Sequence, residues 1–251
     1  MAKIEYGIQM YSLRDITGDN LKGALETVAK QGYKYIEFAG FFDNCAEDVK
    51  AWLDEYGLIC SGTHTGIDPI TEENIEATIK YHQTIGCKNL IVPGADWSTE
   101  EKMNYNIDVM NKAAPKLKAA GITLGYHNHS HEFQPTSYGK YLHKEIEERC
   151  PEVEFELDTF WVFNAGLDPV AEIERLKDRI RVIHLKDGIP SSDGTSHHAQ
   201  GKSVGEGEAP IKAVREKAIE LGILMVIESE GLQPTGTEEV ERCIKYLRTL
   251  D

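Results

Sequence analysis

Basic residues are few in this 251-residue sequence: 27 lysines and arginines stand against 42 aspartates and glutamates, a formal net charge of −15. Binding to nucleic acids and to anionic membrane surfaces depends on clustered positive charge, so this balance argues against both partners. No apolar run approaches the roughly 20 residues of a membrane-spanning helix, and the N-terminal segment lacks the apolar core of a signal peptide. These absences predict a soluble protein.

Cysteine is scarce as well. The five cysteines are scattered, odd in number and never arranged as a CxxC pair. This pattern argues against a zinc ribbon or a disulfide framework and predicts reduced thiols in a cytoplasmic protein. The cysteines are Cys45, Cys60, Cys87, Cys150 and Cys243.

The first predicted strand is not followed by the glycine fingerprint that a doubly wound nucleotide-binding sheet usually carries. Instead, eight short apolar runs that end in polar residues recur at a mean spacing of about 31 residues, the length of one strand–helix unit. The runs lie at 6–12, 35–40, 59–65, 89–94, 122–129, 153–160, 181–187 and 223–230. We therefore predict an α/β fold, a single (β/α)8 barrel over residues 1–251.

The segments between these runs contain residues typical of helix ends, which predicts a helix in each segment. Asp19 or Asn20 can cap the first long helix, and Ser98–Glu101 has the pattern of a capping box. Pro115 lies within a long helical segment (98–120) and predicts a kink or a break there. The stretch after the seventh run is predicted to be a loop.

Polar and charged side chains stand at the ends of most of these strands. In barrels of this kind, the C-terminal strand ends and the loops after them form the active site. Charged groups are rarely buried unless they are paired or bind a metal, so the cluster as a whole points to function, although a lone histidine is usually a core residue. The strand-end residues are Gln9, Tyr11, Glu37, His64, His127, His129, His131, Glu132, Asp158, His184, Lys186, Asp187, Glu228 and Glu230.

Three of these residues come from neighbouring strands and could surround one metal ion: Asp158, His184 and Glu228. Carboxylates suit Mn²⁺, Mg²⁺ or Co²⁺, and an imidazole shifts the preference towards Mn²⁺, Co²⁺ or Zn²⁺. A fourth ligand would come from strand five, where Glu132 and His127 are both available. Positions would remain open for two substrate oxygens.

Seven segments resemble the xylose isomerase-like barrel superfamily, often labelled sugar phosphate isomerase/epimerase. They are GIQMYSLR, GYKYIEFAG, GITLGYHNHSHEF, FELDTFW, VIHLKD, VGEGEAP and VIESE, and they span the whole chain. The resemblance implies one divalent metal held by Glu, Asp, His and Glu from strands five to eight. Asp158, His184 and Glu228 match this pattern directly. We expect Mn²⁺ first, with Mg²⁺, Co²⁺ or Zn²⁺ as alternatives.

Strand five departs from the pattern of the superfamily's ketose epimerases, because Tyr126 and His127 stand where those enzymes place a glutamate. We favour Glu132 as the fourth ligand, since a third carboxylate keeps the site anionic enough for a hard cation, and His127 is the alternative. The YHNH segment is more similar to inosose dehydratases and to enzymes that act on keto-glycosides.

The resemblance implies a sugar isomerase or epimerase that removes a proton next to a carbonyl and stabilises the enediolate with the metal. The expected catalytic residues are Glu132, Glu228, Lys186 and His127. The expected substrate-binding residues are Glu37, His64, His129 and Glu230.

Other functions stay open at this stage. A dehydratase or lyase of the same family would eliminate water or a glycosidic oxygen from a keto-cyclitol or 3-keto-glycoside after the same first step. A non-catalytic binding barrel is a further alternative. Glu206 and Glu208 lie beside the glycines of the loop after strand seven and would repel a phosphate, so an unphosphorylated sugar, cyclitol or keto-glycoside is the expected substrate. Barrels of this type often form homo-oligomers, but the sequence identifies no interface.

Overall fold

Eight parallel strands close into a barrel in the computed structural model, which describes residues 4–251. In chain order the strands are β1 (Gly7–Gln9), β2 (Tyr35–Phe38), β3 (Ile59–His64), β4 (Asn89–Val92), β5 (Thr123–His127), β6 (Glu154–Asp158), β7 (Ile180–Ile189), β8 (Gln200–Lys202) and β9 (Leu224–Glu228). All but β8 form the ring, which closes where β9 pairs with both β7 and β1. The predicted (β/α)8 barrel is confirmed.

The short strand β8 lies outside the barrel. It pairs antiparallel with the end of β7, with Asp187 opposite Lys202 and Ile189 opposite Gln200. The prediction that only a loop follows strand seven was therefore wrong in part. The extra pairing extends β7 beyond the barrel rim and fixes the start of the loop that follows it.

Helices lie between the strands and cover the outside of the barrel. They are α1 (Arg14–Thr17), α2 (Leu21–Gln31), α3 (Ala46–Tyr56), α4 (Ile75–Ile85), α5 (Glu100–Ala119), α6 (Leu142–Arg149), α7 (Thr159–Asn164), α8 (Pro169–Leu176), α9 (Ile211–Leu221) and α10 (Gly236–Arg248). Within residues 4–251, no helix is both long and apolar enough to cross a membrane.

The helix caps agree only in part with the sequence signals. Asn20 caps α2 by accepting a hydrogen bond from the backbone N–H of Gly23, as predicted. The cap of α5 is Thr99 rather than Ser98, because the Thr99 hydroxyl accepts from the N–H of Lys102. A kink or a break was predicted at Pro115; the break does not occur, since α5 continues through this residue. Burial of the apolar face of α5 outweighs the one backbone hydrogen bond that proline removes.

The two faces of the strands differ in chemistry. Outward side chains such as Ile8, Ile36 and Leu185 are fully buried under the helices and form the apolar core. Inward side chains at alternate positions include Glu37 and Glu156, which are also fully buried or nearly so. The upper interior of the barrel is therefore polar, and it leads directly to the mouth.

Glycine at an inward position makes room for this polar interior. A Cβ added to Gly62 on β3 would lie 2.7 Å from Cδ1 of Ile91 and 3.0 Å from Oε2 of Glu37. Neither neighbour can move freely, because both are buried inside the barrel. The small residue thus lets a carboxylate lie beneath the mouth.

We expect Gly62→Ala to lower the free energy of unfolding by about 1–3 kcal/mol, since overpacking forces buried side chains to shift. Urea denaturation followed by circular dichroism measures the change. Gly66→Ala is the matched control, because a Cβ there meets nothing within 4 Å. Equal stability of the two variants would contradict the packing argument.

Candidate active site at the mouth of the barrel

The C-terminal strand ends open into a cavity of about 360 Å³. Six of the strand-end residues identified from the sequence line it, in company with Ala39 and Pro93. These six are Tyr11, His64, His127, His129, Glu228 and Glu230. The predicted end of the barrel thus carries a concave, polar site of a size that suits a small ligand.

Four buried side chains on consecutive barrel strands come together at the floor of this cavity. His127, Asp158, His184 and Glu228 each offer one nitrogen or oxygen, and these atoms all lie within 4.8 Å of one another. His184 Nδ1 is 3.0 Å from Oε2 of Glu228 and 3.9 Å from Oδ2 of Asp158. Two imidazoles and two carboxylates form a donor set that divalent transition metals accept.

Asp158 uses its two oxygens differently. Oδ1 accepts a hydrogen bond of 2.9 Å from the N–H of Trp161 and so caps α7. Oδ2 is buried and has no hydrogen-bond partner. A buried carboxylate oxygen without a partner is costly, and a cation at this atom would remove that cost.

Lys186 supplies a permanent positive charge beside this cluster. Its Nζ lies 2.8 Å from Glu230, 3.4 Å from Glu228 and 3.8 Å from Asp158, and 4.3 Å from the ring centre of Trp161. Burial alone would lower the pKa of Lys186, but the three carboxylates raise it above its ordinary value. Lys186 therefore remains an ammonium group and holds the carboxylates in place.

Burial changes the protonation of the other members. It lowers the pKa of His127 to about 3, so this imidazole is neutral and free to act as a ligand. It raises the pKa of Asp158 to about 6, although Lys186 opposes the shift. For Glu228, burial acts in the same direction, but Lys186 and His184 hold its pKa well below the ordinary value. Both carboxylates of the cluster are thus ionised at neutral pH.

A second layer of polar groups lies beneath the cluster. Oε1 of Glu156 lies 2.8 Å from His64 Nε2, 3.2 Å from His127 Nδ1 and 3.0 Å from His184 Nε2. Oε1 of Glu37 lies 2.7 Å from the same His184 nitrogen. Burial would lower the pKa of His184, but these two glutamates raise it well above its ordinary value, so without a cation both of its nitrogens carry protons.

Glu37 and Glu132 lie elsewhere than the sequence suggested. Glu37, expected to bind substrate, is fully buried beneath His184 and does not line the cavity. Glu132, favoured as the fourth metal ligand, groups with His129 and His131 rather than with Asp158. The reason is local, because Glu132 sits on a short 3-10 turn and its carboxylate bonds to the backbone just before that turn.

The contacts of Glu132 account for its position. Its Oε1 accepts a hydrogen bond of 2.9 Å from the hydroxyl of Tyr126, and its Oε2 accepts one of 2.8 Å from the N–H of His129. The strand-five residue that joins the cluster is instead His127, which the sequence left as the alternative.

Sequence reasoning overlooked Glu156. A signal was present, because Glu156 and Asp158 are two residues apart on β6 and side chains at that spacing share one face of a strand. Once Asp158 is assigned to the mouth, Glu156 must also point into the barrel. Its 1% exposure agrees with that position.

Comparison with known proteins agrees with this architecture. Residues 25–250 match the family described as xylose isomerase-like TIM barrel, and the chain belongs to that family. It is 25% identical over 188 residues to inosose dehydratase of Geobacillus kaustophilus, which covers 65% of this chain and 60% of that protein. It is 28% identical over 131 residues to 2-oxo-tetronate isomerase of Haemophilus influenzae, covering 44% of this chain and 50% of that protein.

Each alignment thus spans between half and two thirds of the relative's length. A solved structure of a sugar phosphate isomerase/epimerase from Parabacteroides distasonis superposes with a TM-score of 0.80 at 25% identity and covers 98% of both chains. The names of these three similar proteins describe two isomerases and one dehydratase.

The buried contacts of Glu132 predict a pH-dependent contribution to stability. Burial alone would raise the pKa of Glu132, but its contacts with His129, His131 and Tyr126 lower it from 4.5 to about 2. A lowered folded-state pKa adds stability above the unfolded value, and this stability is lost as pH falls through the folded value. Glu132→Gln should therefore cost about 3 kcal/mol at pH 7 and much less at pH 3.

Urea denaturation at the two pH values measures this difference. Glu148→Gln is the control, because its ion pair with Lys144 lies on the exposed surface and should contribute little at either pH. A Glu132→Gln cost that does not change with pH would show that the charge of Glu132 is unimportant.

Proposed function

We propose that this protein is a divalent-metal-dependent sugar isomerase or epimerase that moves a proton on a carbon next to a carbonyl. The observation that carries the proposal is the group of His127, Asp158, His184 and Glu228 at the floor of the mouth cavity. The names of the relatives, an isomerase acting on a 2-oxo-tetronate and a sugar phosphate isomerase/epimerase, support the same class of reaction.

The donor set narrows the choice of metal. When bound, a divalent cation polarises a carbonyl oxygen and a neighbouring hydroxyl and so acidifies the carbon between them. Two imidazoles beside two carboxylates favour Mn²⁺, Co²⁺ or Zn²⁺ over Mg²⁺, which prefers oxygen ligands alone. We keep Mn²⁺ as the first expectation.

Proton transfer and substrate binding would fall to the residues that line the cavity. Glu228 is ionised at neutral pH and lines the cavity, so it can accept the proton from the substrate carbon. Glu230 is held by Lys186 at 2.8 Å and can accept a hydrogen bond from a sugar hydroxyl. His64 and His129 line the opposite side, where they can donate to substrate oxygens. Lys186 is fully buried, so it acts by fixing these carboxylates.

The loop after strand seven supports an unphosphorylated substrate. In barrels, this region often binds phosphate through backbone N–H groups. Here the carboxylate of Asp187 accepts hydrogen bonds of 2.8–3.0 Å from the N–H groups of Gly188, Gly205, Gly207 and Ala209. An internal anion thus uses the donors that a phosphate would need, which favours a neutral sugar or cyclitol.

A dehydratase is the second candidate, and the similarity to inosose dehydratase favours it. Both reactions begin with removal of a proton next to a carbonyl. Elimination would require a leaving hydroxyl or glycosidic oxygen on the adjacent carbon, and the imidazoles of His64 and His129 could donate the proton that leaves with it.

The metal content tests the proposal directly. After stripping and refilling with Mn²⁺, elemental analysis of the purified protein should find about one ion per chain, whereas the Asp158→Ala, His184→Ala double variant should hold none. Asp193→Ala, His198→Ala is the matched control, since it removes an exposed aspartate–histidine pair 3.1 Å apart. Equal metal content in all three proteins would overturn the assignment.

The fate of the substrate separates the two reactions. Turnover of candidate keto-sugars and inososes in deuterated water should place deuterium on the carbon next to the carbonyl, with no change in the number of oxygen atoms. Mass spectrometry and proton NMR of the product measure both. Product that has lost water would favour the dehydratase, and product without deuterium would exclude exchange of that proton with solvent.

A further inference from the structure

We propose that Glu156 is a positioning residue that fixes which nitrogen of His127 and which nitrogen of His184 face the cation site. This inference rests on the proposed metal-dependent function. Glu156 itself lies one step deeper in the barrel than Asp158, because two residues along a strand rise by about 6.6 Å.

A single oxygen makes the decisive contacts. Oε1 of Glu156 lies 3.2 Å from Nδ1 of His127 and 3.0 Å from Nε2 of His184. An imidazole nitrogen this close to a carboxylate oxygen carries a proton, so Nδ1 of His127 is protonated towards Glu156 and its Nε2 is left as the ligand. In His184, Nδ1 also lies 3.0 Å from a carboxylate oxygen, but that oxygen belongs to Glu228, which is itself a member of the cation site. A cation would therefore replace the proton on Nδ1 of His184, while Glu156 keeps the proton on Nε2.

The Nδ1 nitrogen of His184 faces the proposed cation site. It lies 3.0 Å from Glu228 and 3.9 Å from Asp158, the two carboxylates of the site. The opposite nitrogen lies between two carboxylate oxygens, because Glu37 is also within 2.7 Å of it. Gln9 in turn donates a hydrogen bond of 2.7 Å to that oxygen of Glu37, so the arrangement is held from below.

Within the described part of the chain, the basic groups that lie beside Glu156 are imidazoles. Among residues 4–251, its ion pairs within 4.0 Å are with His64, His127 and His184, and no lysine or arginine is included. Its negative charge thus acts on the rings themselves and makes them better donors to a metal. Loss of such a partner typically weakens metal affinity by about 10–100-fold.

The competing interpretation places an ion in the lower layer. His64, His127, Glu156 and His184 also bring their ligand atoms within 4.8 Å of one another. That ion would need Nε2 of His184 without a proton, yet this nitrogen lies 2.7 Å and 3.0 Å from two carboxylate oxygens. Glu37 is not a member of that group, so an unprotonated Nε2 would still face its carboxylate oxygen at 2.7 Å with no cation between them. We therefore assign Glu156 to positioning rather than to ligation.

Titration of the metal-free protein with Mn²⁺ and with Zn²⁺ by isothermal calorimetry tests the assignment. Glu156→Gln should bind one ion, as the wild type does, but about 10–100-fold more weakly. Glu154→Gln is the matched control, because Glu154 lies two residues earlier on the same strand and pairs with the exposed Arg181 at 2.6 Å. Its affinity should stay within about threefold of wild type, less than 1 kcal/mol.

NMR of the histidine rings shows which nitrogen of each ring carries the proton. A merely structural role of Glu156 would not determine that position. Long-range proton–nitrogen spectra of the Zn²⁺-loaded wild type should show the proton on Nδ1 of His127 and on Nε2 of His184. This measurement requires no variant, so it decides the question even if Glu156→Gln fails to fold.

The outcomes are distinguishable. Protons on the opposite nitrogens, or equal affinity in wild type and Glu156→Gln, would overturn the inference and leave the proposed function intact. A wild type that binds two ions, one of which Glu156→Gln loses, would make Glu156 a ligand and also overturn it. A wild type that binds no ion would overturn the proposed function, and the inference with it.

Discussion

Burial of negative charge inside the barrel is the constraint on which the rest of the site depends. Four carboxylates are 4% exposed or less in the interior: Glu37, Glu156, Asp158 and Glu228. Lys186 is the lysine that reaches the upper two of them. Isolated charges are costly in such surroundings, so imidazole N–H groups balance part of the remaining negative charge, and the proposed cation would balance more of it.

The strand pattern explains why much of this could be predicted from the sequence. Regular spacing of apolar runs identifies the barrel, because each strand–helix unit repeats at nearly constant length. The same logic assigns the strand-end residues to one mouth, and the structure brings Asp158, His184 and Glu228 together there. Only the type of residue and its place at a strand end are needed for that step.

The features that could not be predicted depend on contacts that leave no regular pattern in the sequence. The strand β8 forms because the loop folds back on β7, and such pairing is invisible in a short polar stretch. Glu132 lies in a loop, where direction is decided by its bonds to Tyr126 and to the N–H of His129. The cap of α5 was missed because Ser98 and Thr99 are neighbours whose hydroxyl groups can both accept the capping hydrogen bond. The structure uses Thr99.

A histidine in place of a glutamate at the tip of strand five changes which groups are needed beneath the proposed metal site. A carboxylate ligand presents equivalent oxygens and brings its own charge, whereas an imidazole is neutral and offers two different nitrogens. A site with His127 in that position therefore needs a group that selects one nitrogen and restores negative charge nearby. Glu156 meets both requirements, because its oxygen touches His127 and His184 at once. The departure from the glutamate pattern and the buried glutamate beneath it are thus two parts of one arrangement.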